Sequence, residues 1–292
     1  MLSVIYPEDG GFFQPCALVL GGFDGIHLGH KSLLDRAREF GLPVVLTTIA
    51  GGKKGGELFT ASERERAFSE LGADGVFVFP FTEELRETSA RDFLQSLFSR
   101  CTPRVVVCGE DFRFGKDAAG DSAFLKKCAP CPVEVLPLKQ VDGQKISSTN
   151  LKALLAAGEM SALNRLLAYP YFLEGTVEHG RRVGSGVLGF PTVNLTLSPE
   201  KAPPKEGVYG GYAVTDFGRT KCIFNYGARP TFHVAEKKAE AFLLDFDGDL
   251  YGSRVRIYPE EYFRPVTAFP SAEELRRQLE RDVQRVKNRR NV

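Results

Sequence analysis

The sequence has no excess of charge of either sign. Its 292 residues include 38 lysines and arginines against 37 aspartates and glutamates, which gives a formal net charge of +1 at pH 7. This balance creates no broad electrostatic field that would attract a nucleic acid or an anionic membrane. We therefore expect small-molecule ligands and neither nucleic-acid nor membrane partners, and no pattern in the sequence specifies an oligomeric state.

Long apolar runs are also absent. No segment approaches the roughly 20 residues that a helix needs to span a bilayer. The first residues, 1–9, lack the basic and apolar regions of a signal peptide. We therefore expect a cytoplasmic protein.

Cysteine is sparse, with six residues in the whole chain. In a reducing compartment, scattered thiols are usually small buried apolar side chains rather than disulfide partners. Cys128 and Cys131 have CxxC spacing, but the residues after them, 132–136, read as a strand. A redox CxxC normally opens a helix and a zinc site needs two further ligands, so we expect neither use of this pair.

The secondary-structure pattern changes midway along the chain, which is long enough to hold two cores. From Cys16 to about Met160, short apolar runs alternate with helical stretches, which predicts βαβ units and a parallel sheet. From Tyr171 onward, short strands between Gly- and Pro-rich turns predict a small antiparallel barrel, closed by a C-terminal helix. We expect a Rossmann-like α/β domain at residues 1–165 and a β-barrel domain at residues 166–292. The strands predicted in the first domain include 44–49, 75–79, 104–108 and 133–136.

Two of the four histidines, His27 and His30, lie where an apolar run gives way to a helical pattern. The run breaks at Gly21-Gly22, so both imidazoles are predicted at a strand-to-helix junction. A helix N-terminus offers unpaired backbone N–H groups, and residues at i and i+3 share one helical face. We expect the pair to grip a polyphosphate, the alternative being a tight turn whose histidines are surface polar groups.

Two further segments contain polar residues that we expect near the histidine pair. The segment 145–149, Lys145-Ile146-Ser147-Ser148-Thr149, precedes a helical run, so its hydroxyls can cap that helix or donate to a phosphate. The segment 109–115 follows a predicted strand end. Ligands of open α/β sheets bind beyond the carboxyl ends of the strands, where these segments and the histidine pair are expected to converge.

These motifs resemble those of a known family. Three segments of the first half resemble the adenylyltransferase module of the bacterial bifunctional riboflavin kinase/FMN adenylyltransferases, the prokaryotic FAD synthetases. They are Gly22-Phe23-Asp24-Gly25-Ile26-His27-Leu28-Gly29-His30, Asp111-Phe112-Arg113-Phe114-Gly115 and Ile146-Ser147-Ser148-Thr149. The second half resembles their riboflavin kinase module in Gly189-Phe190-Pro191-Thr192-Val193-Asn194, Gly207-Val208-Tyr209, Asn225-Tyr226-Gly227-Ala228-Arg229-Pro230-Thr231-Phe232 and Glu240-Ala241-Phe242-Leu243-Leu244-Asp245-Phe246. The resemblance covers nearly the whole chain.

For the first, nucleotidyltransferase-like domain, the resemblance implies transfer of AMP from ATP to FMN with release of pyrophosphate. FMN phosphate attacks the α-phosphorus directly, so alignment and charge neutralisation suffice and no covalent nucleophile is required. The resemblance implies that His27 and His30 contact the ATP phosphates and that Ser148 and Thr149 close on them from the other side. The remaining nucleotide contacts that we expect are Gly22, Asp24, Gly29, Asp111 and Lys145.

For the second domain, the resemblance implies ATP-dependent phosphorylation of riboflavin to FMN. Glu240 is the implied base for the riboflavin hydroxyl, and Thr192 and Asn194 are the implied oxygen ligands of Mg²⁺ and ATP. Alternation along a strand puts Thr192 and Asn194 on one face and Val193 on the other, toward the core. Without the surrounding motifs, Thr192 would read as an ordinary strand start and Glu240 as an exposed strand carboxylate.

Departures from the family pattern concentrate in the first domain. A Phe-Glu-Pro-His-Pro-like segment is replaced by Thr47-Thr48-Ile49-Ala50-Gly51-Gly52-Lys53-Lys54, Ala118 stands where an arginine is usual, and Lys152 replaces an arginine. The alternative is therefore a riboflavin kinase whose first domain is a degenerate or regulatory nucleotide-binding module. A flavin carrier has no reason to retain Glu240 with Thr192 and Asn194, and a metal-dependent hydrolase built on the histidine pair lacks a third ligand at regular spacing.

Overall fold

The fold is taken from a computed structural model, which describes residues 2–52, 55–178, 192–229 and 234–289. Packing divides the chain into two compact units. The first comprises Met1–Leu151 and Leu166–Tyr169, and the second comprises Lys152–Arg165 and Pro170–Val292. No helix in these described ranges is long and apolar enough to cross a membrane. Lys53, Lys54 and residues 189–191 and 230–232 of the kinase-like motifs lie outside the described residues.

The first unit is built on a parallel sheet, which confirms the predicted α/β class. Its strands are β1 (Ser3–Ile5), β2 (Phe12–Leu20), β3 (Val44–Ala50), β4 (Gly75–Pro80), β5 (Cys101–Gly109) and β6 (Val133–Leu136). They run in the order β1-β4-β3-β2-β5-β6, with every pair of neighbours parallel. The helices between them are α1 (Leu28–Arg38), α2 (Ala61–Glu70), α3 (Glu83–Glu87), α4 (Ala90–Phe98) and α5 (Ser122–Cys128).

The predicted strands form because their apolar runs are buried in this sheet. The last five residues of β2 are all buried, as are residues 105–108 of β5. Strands of a parallel sheet are covered on both faces, so they read as continuous apolar runs rather than alternating ones. Side-chain caps begin the helices, since Thr60 accepts a hydrogen bond from the Glu63 N–H before α2 and Ser89 accepts one from the Asp92 N–H before α4.

The strand order reverses beside β2. From β2 the chain moves to β3 and β4 on one side of the sheet, whereas β5 and β6 lie on the other side. The crevice outside the carboxyl ends of the strands at such a reversal is where open α/β sheets bind ligands. The histidine pair follows β2 and the 109–115 segment follows β5, so both lie at this crevice.

After β6 the chain forms a short hairpin, β7 (Gln140–Val141) and β8 (Gln144–Lys145), and then two helices, α6 (Ser148–Ala157) and α7 (Met160–Leu166). The hairpin turn is Asp142-Gly143, with φ of 52° and 74°. Positive φ at both central residues is typical of a type I′ turn, for which Asp-Gly is a favoured pair. Ser147 accepts a hydrogen bond from the Asn150 N–H at 3.2 Å and so caps the start of α6.

The second unit contains a closed antiparallel barrel, which confirms the predicted barrel. Its strands are β9 (Leu173–Glu178), β10 (Thr192–Leu197), β11 (Gly207–Thr215), β12 (Gly218–Arg229), β13 (Val234–Leu243) and β14 (Arg254–Arg264), in the order β10-β13-β12-β11-β14-β9. The predicted C-terminal helix is α8 (Ala272–Lys287), capped by Ser271, which accepts from the Glu274 N–H. Its residues Val283 and Val286 pack on the barrel against Val208, Ile223 and Leu244.

Candidate functional site

A cavity of about 730 Å³ opens at the carboxyl ends of the strands of the first unit. Its walls come from the residues that follow β2, β5 and β6, from the ends of β3 and β4, and from the segment after β8. The structure therefore brings together the three segments that the sequence singled out. The predicted site residues that line the cavity are Gly22, His27, Gly29, His30, Asp111, Lys145 and Ser148.

The two histidines cap α1 reciprocally. His27 Nδ1 accepts a hydrogen bond from the His30 N–H at 3.3 Å, and His30 Nδ1 accepts one from the His27 N–H at 3.4 Å. The imidazoles stack, with ring centroids 3.6 Å apart and planes inclined by 13°. The expectation that both residues lie on one helical face is wrong, because His27 precedes the helix with extended backbone (φ −102°, ψ 173°). Capping, rather than helical spacing, brings the rings together.

Both imidazoles are neutral at pH 7. Burial lowers the pKa of His27 to about 4, against an opposing effect of the Asp111 carboxylate. Burial, and then the proximity of His27, holds the pKa of His30 well below its ordinary value, although the nearby Gly25 carbonyl acts in the opposite direction. Since His27 Nδ1 accepts a hydrogen bond, the proton of its neutral ring lies on Nε2. That N–H is available to a phosphate oxygen, but neither ring brings positive charge.

Two buried threonines fix the turn that leads to the histidines. Thr47 Oγ1 accepts a hydrogen bond from the Gly21 N–H at 3.1 Å and lies 3.2 Å from the Gly21 carbonyl oxygen. Thr48 Oγ1 donates to the Gly22 carbonyl at 3.0 Å. Both threonines belong to the segment that departs from the family pattern, yet they hold the backbone of the first βα turn.

Of the predicted residues Ser148, Asp24 and Thr149, Ser148 alone lines the described part of the cavity wall. Ser148 lines the cavity, and its Oγ donates to the Asp24 carbonyl at 2.6 Å. The Asp24 side chain is buried, and its Oδ1 accepts a hydrogen bond from the Leu58 N–H at 3.0 Å. Asp24 therefore stabilises the turn through hydrogen bonds with Ser148 and Leu58. Thr149, the next residue, is exposed and does not line the cavity among the described residues.

Lys145 and Asp111 face each other at the cavity as an ion pair of 2.9 Å, each about half exposed. The positive charge expected from Lys145 is therefore offset by a carboxylate. The exposed position makes this pair weak, and a phosphate can compete for the lysine.

Part of the cavity wall is aromatic. Phe112 and Phe114 stack with centroids 5.3 Å apart, and Phe93 lies 5.8 Å from Phe114. Phe79 and Phe81 add to the same wall. The cavity thus combines polar groups at the start of α1 with aromatic side chains suited to a flat ring.

In the second unit, strand register places the predicted kinase residues side by side. Asn194 on β10 lies directly opposite Glu240 on β13, and Glu240 lies opposite Asn225 on β12. Directly opposed residues of antiparallel strands project from the same face. The neighbours of Glu240 in sequence, Ala239 and Ala241, are buried, so Glu240 projects from the other, outer face of the barrel.

Thr192 shares this face because it lies two residues before Asn194 on β10. Its hydroxyl, the Asn194 amide oxygen and the Glu240 carboxylate are all hard oxygen donors. Val193, expected in the core, lies opposite the buried Ala241 but is only partly buried itself.

Several residues at these sites were not predicted from the sequence. The Thr47 and Thr48 hydroxyls were a signal, since they interrupt a strand that is otherwise apolar. The sequence contained Asn225 in a motif but did not indicate its role, because its position opposite Glu240 depends on the register of β12 and β13. Lys139 lines the cavity and lies just before the hairpin that follows β6. The Asp142-Gly143 pair was the sequence signal for that hairpin.

Comparison with known proteins gives the same division of the chain. The family model for FAD synthetase matches residues 11–150, and the family model for riboflavin kinase matches residues 167–289. The bifunctional riboflavin kinase/FMN adenylyltransferase of Listeria monocytogenes is 31% identical over 283 residues, which cover 91% of this chain and 90% of that protein. The protein of the same name from Escherichia coli is 31% identical and covers 94% of this chain and 91% of its own.

Among solved structures, one described as a macrolide-efflux protein from Streptococcus pneumoniae is similar along the whole chain. It is 27% identical, with a TM-score of 0.86, and the match covers 98% of this chain and 99% of that one.

Proposed function

Because the chain belongs to the family of bifunctional riboflavin kinase/FMN adenylyltransferases, we propose that it phosphorylates riboflavin to FMN and adenylylates FMN to FAD, using ATP in both reactions. The observation that carries the proposal is a separate polar site in each unit, the cavity beyond β2 and β5 and the row of polar residues around Glu240. Two ATP-directed sites favour transferase activity over the efflux role named for the streptococcal relative. We propose that the two compact units correspond to the two catalytic modules and act in the cytoplasm, where ATP is available.

In the first unit, a phosphate oxygen of FMN attacks the α-phosphorus of ATP, and pyrophosphate leaves. The reaction needs in-line alignment and donors for the phosphate oxygens rather than a covalent nucleophile. The N-terminus of α1, with the Nε2–H of His27 beside it, supplies neutral donors, and the His30 ring stacked behind fixes their orientation. The stacked rings of Phe112 and Phe114 in the cavity wall accommodate the flavin ring.

In the second unit, the 5′-hydroxyl of riboflavin attacks the γ-phosphorus of ATP, and Glu240 takes up the proton of that hydroxyl. Thr192 and Asn194 would hold Mg²⁺ through their oxygen atoms, which are the ligands this ion prefers. When bound, the ion neutralises charge on the ATP phosphates. The register that puts Asn194 directly opposite Glu240 keeps the base next to the nucleotide-binding residues.

The test of the adenylyl-transfer half is incubation of the purified full chain with FMN, ATP and Mg²⁺. We expect FAD and pyrophosphate in equal amounts, with no pyrophosphate when FMN is omitted, because the α-phosphorus then has no acceptor. Phosphorylation of riboflavin without any FAD, at any enzyme concentration, would instead support the alternative of a kinase with a regulatory first domain.

A further inference from the structure

The histidine pair at the start of α1 brings no positive charge to the cavity of the first unit. Under the proposed function, this cavity receives the triphosphate of ATP, which carries several negative charges at neutral pH. His27 and His30 are neutral there, because burial depresses the pKa of both. Another group at the start of α1 has to compensate the phosphate charge, since buried or half-buried anions require a cationic or hydrogen-bonding partner.

Most of the cationic side chains at this cavity already have partners. Lys145 pairs with Asp111 at 2.9 Å. Arg86 pairs with Glu83 at 2.5 Å. Arg113 donates a hydrogen bond to the neutral Phe112 carbonyl at 3.2 Å, so it keeps its charge, but it lies in the segment after β5 rather than beside the first turn of α1. The remaining lysine or arginine in the described part of the cavity wall is Lys139.

Lys139 is exposed, and within the described residues its ammonium has neither a carboxylate at ion-pair distance nor a hydrogen-bond acceptor. Among the described residues, no carboxylate therefore compensates its charge. A lysine is a compact point charge on a flexible stem, which suits it to a mobile polyphosphate.

The backbone brings Lys139 close to the histidines. It lies between β6 and the β7–β8 hairpin, beside the first turn of α1. A Cβ atom placed on Gly29 would lie 3.8 Å from the Cβ of Lys139 and 3.1 Å from the His27 ring. The absence of a side chain at Gly29 thus leaves a narrow space bounded by the lysine, the imidazole and the backbone N–H groups of the helix N-terminus.

We propose that Lys139 binds the triphosphate of ATP in the adenylyl-transfer cavity and holds the part that leaves as pyrophosphate. This inference rests on the adenylyl-transfer function proposed above. Lys139 supplies the positive charge that the neutral histidine pair does not, while the helix N-terminus and the His27 N–H supply directional hydrogen bonds. The hairpin of β7 and β8 sets its position.

The test compares Lys139→Gln with the wild type in FAD formation from FMN. We expect the KM for ATP to rise about tenfold or more, as for loss of one charge-assisted contact, with the KM for FMN unchanged. Calorimetric titration with ATP should show weakened binding at this site, and the reverse reaction should show a raised KM for pyrophosphate. Lys139→Arg, which keeps the charge, should retain most of the affinity.

The matched control is Lys127→Gln, which removes the same charge from an exposed position on α5 outside the cavity wall. It should leave both Michaelis constants unchanged, and all variants should phosphorylate riboflavin at the wild-type rate. The inference is overturned if Lys139→Gln behaves like Lys127→Gln, or if the KM for FMN rises while that for ATP stays constant. Failure of the wild type to form FAD would contradict the proposed function itself, so the two failures are distinguishable.

Discussion

At the residue scale, the histidine pair illustrates how burial changes the role of a side chain. The residue types alone indicate two imidazoles that grip phosphate, and a protonated pair would do so through charge. In the structure, His27 and His30 use their Nδ1 atoms to cap α1 and stack on each other, and burial lowers the pKa of both, so that they are neutral. Their contribution to phosphate binding is therefore directional hydrogen bonding, and the cationic contribution comes from elsewhere.

Thr48 is the residue through which the altered segment supports this site. Replacing Thr48 with valine keeps its shape but removes the hydroxyl donor of the partly buried Gly22 carbonyl, which costs about 1.5 kcal/mol. We expect Thr48→Val to lower kcat/KM for FAD formation by about tenfold or more, because the turn before His27 loosens. Thr48→Ser keeps the hydroxyl and should retain most of the activity.

Steady-state kinetics of FAD formation with the two Thr48 variants provide the measurement, with riboflavin phosphorylation by the same preparations as the control for folding. If the valine and serine variants had equal FAD-forming activity, the hydroxyl would have no part in positioning the turn.

At the element scale, the loop between β3 and α2 is held by a buried ion pair. Arg64 is fully buried, and its guanidinium donates to the carbonyls of Phe59 at 2.8 Å and Ile49 at 3.0 Å, and to Glu57 at 3.3 Å. Glu57 in turn accepts a hydrogen bond from the Gly51 N–H at 2.9 Å. The pair thereby ties Ile49 and Gly51, in the segment that departs from the family pattern, to Glu57 and Phe59 before α2.

Removal of one partner of this pair should strongly destabilise the protein. Arg64→Met leaves the Glu57 carboxylate buried without its cation, for which we expect a loss of about 3–5 kcal/mol in the free energy of unfolding. Urea unfolding of the full chain measures the change. Arg277→Met is the matched control, because it breaks an exposed pair with Glu273 on α8 and should change stability by less than about 1 kcal/mol. Similar losses in both variants would contradict this account of the loop.

The elements themselves were largely predictable from the sequence. The strand predicted at 133–136 is observed as β6, and those predicted near 44–49 and 104–108 are observed with slightly longer bounds, because each is an apolar run that the sheet buries. The helical stretches predicted between the strands are observed too, for example as α2 and α4, which Thr60 and Ser89 cap. The hairpin of β7 and β8 was not predicted, because two-residue strands carry no apolar pattern and only the Asp142-Gly143 turn marks them.

At the scale of the whole molecule, the sequence indicated which segments meet but not how their side chains interact. Convergence of the 21–30, 109–115 and 145–149 segments follows from the topology of a parallel sheet. Three features of the site depend on backbone details that the hydrophobic periodicity of the sequence does not encode. They are the stacking of His27 on His30, the position of Thr149 outside the described cavity wall and the position of Lys139. The opposition of Asn194, Glu240 and Asn225 likewise depends on strand register.

The central claim is that one chain carries out two reactions at two separate sites, one in each unit. It is tested most directly by supplying riboflavin with ATP labelled at either the α- or the γ-phosphorus, to the wild type and to Glu240→Gln. The wild type should form FAD that carries one phosphorus from each position. Glu240→Gln should form FMN from riboflavin at least about 100-fold more slowly, since its base is lost, yet convert added FMN to α-labelled FAD at the wild-type rate. Incorporation of the γ-label alone by the wild type, or equal loss of both reactions in Glu240→Gln, would contradict the claim.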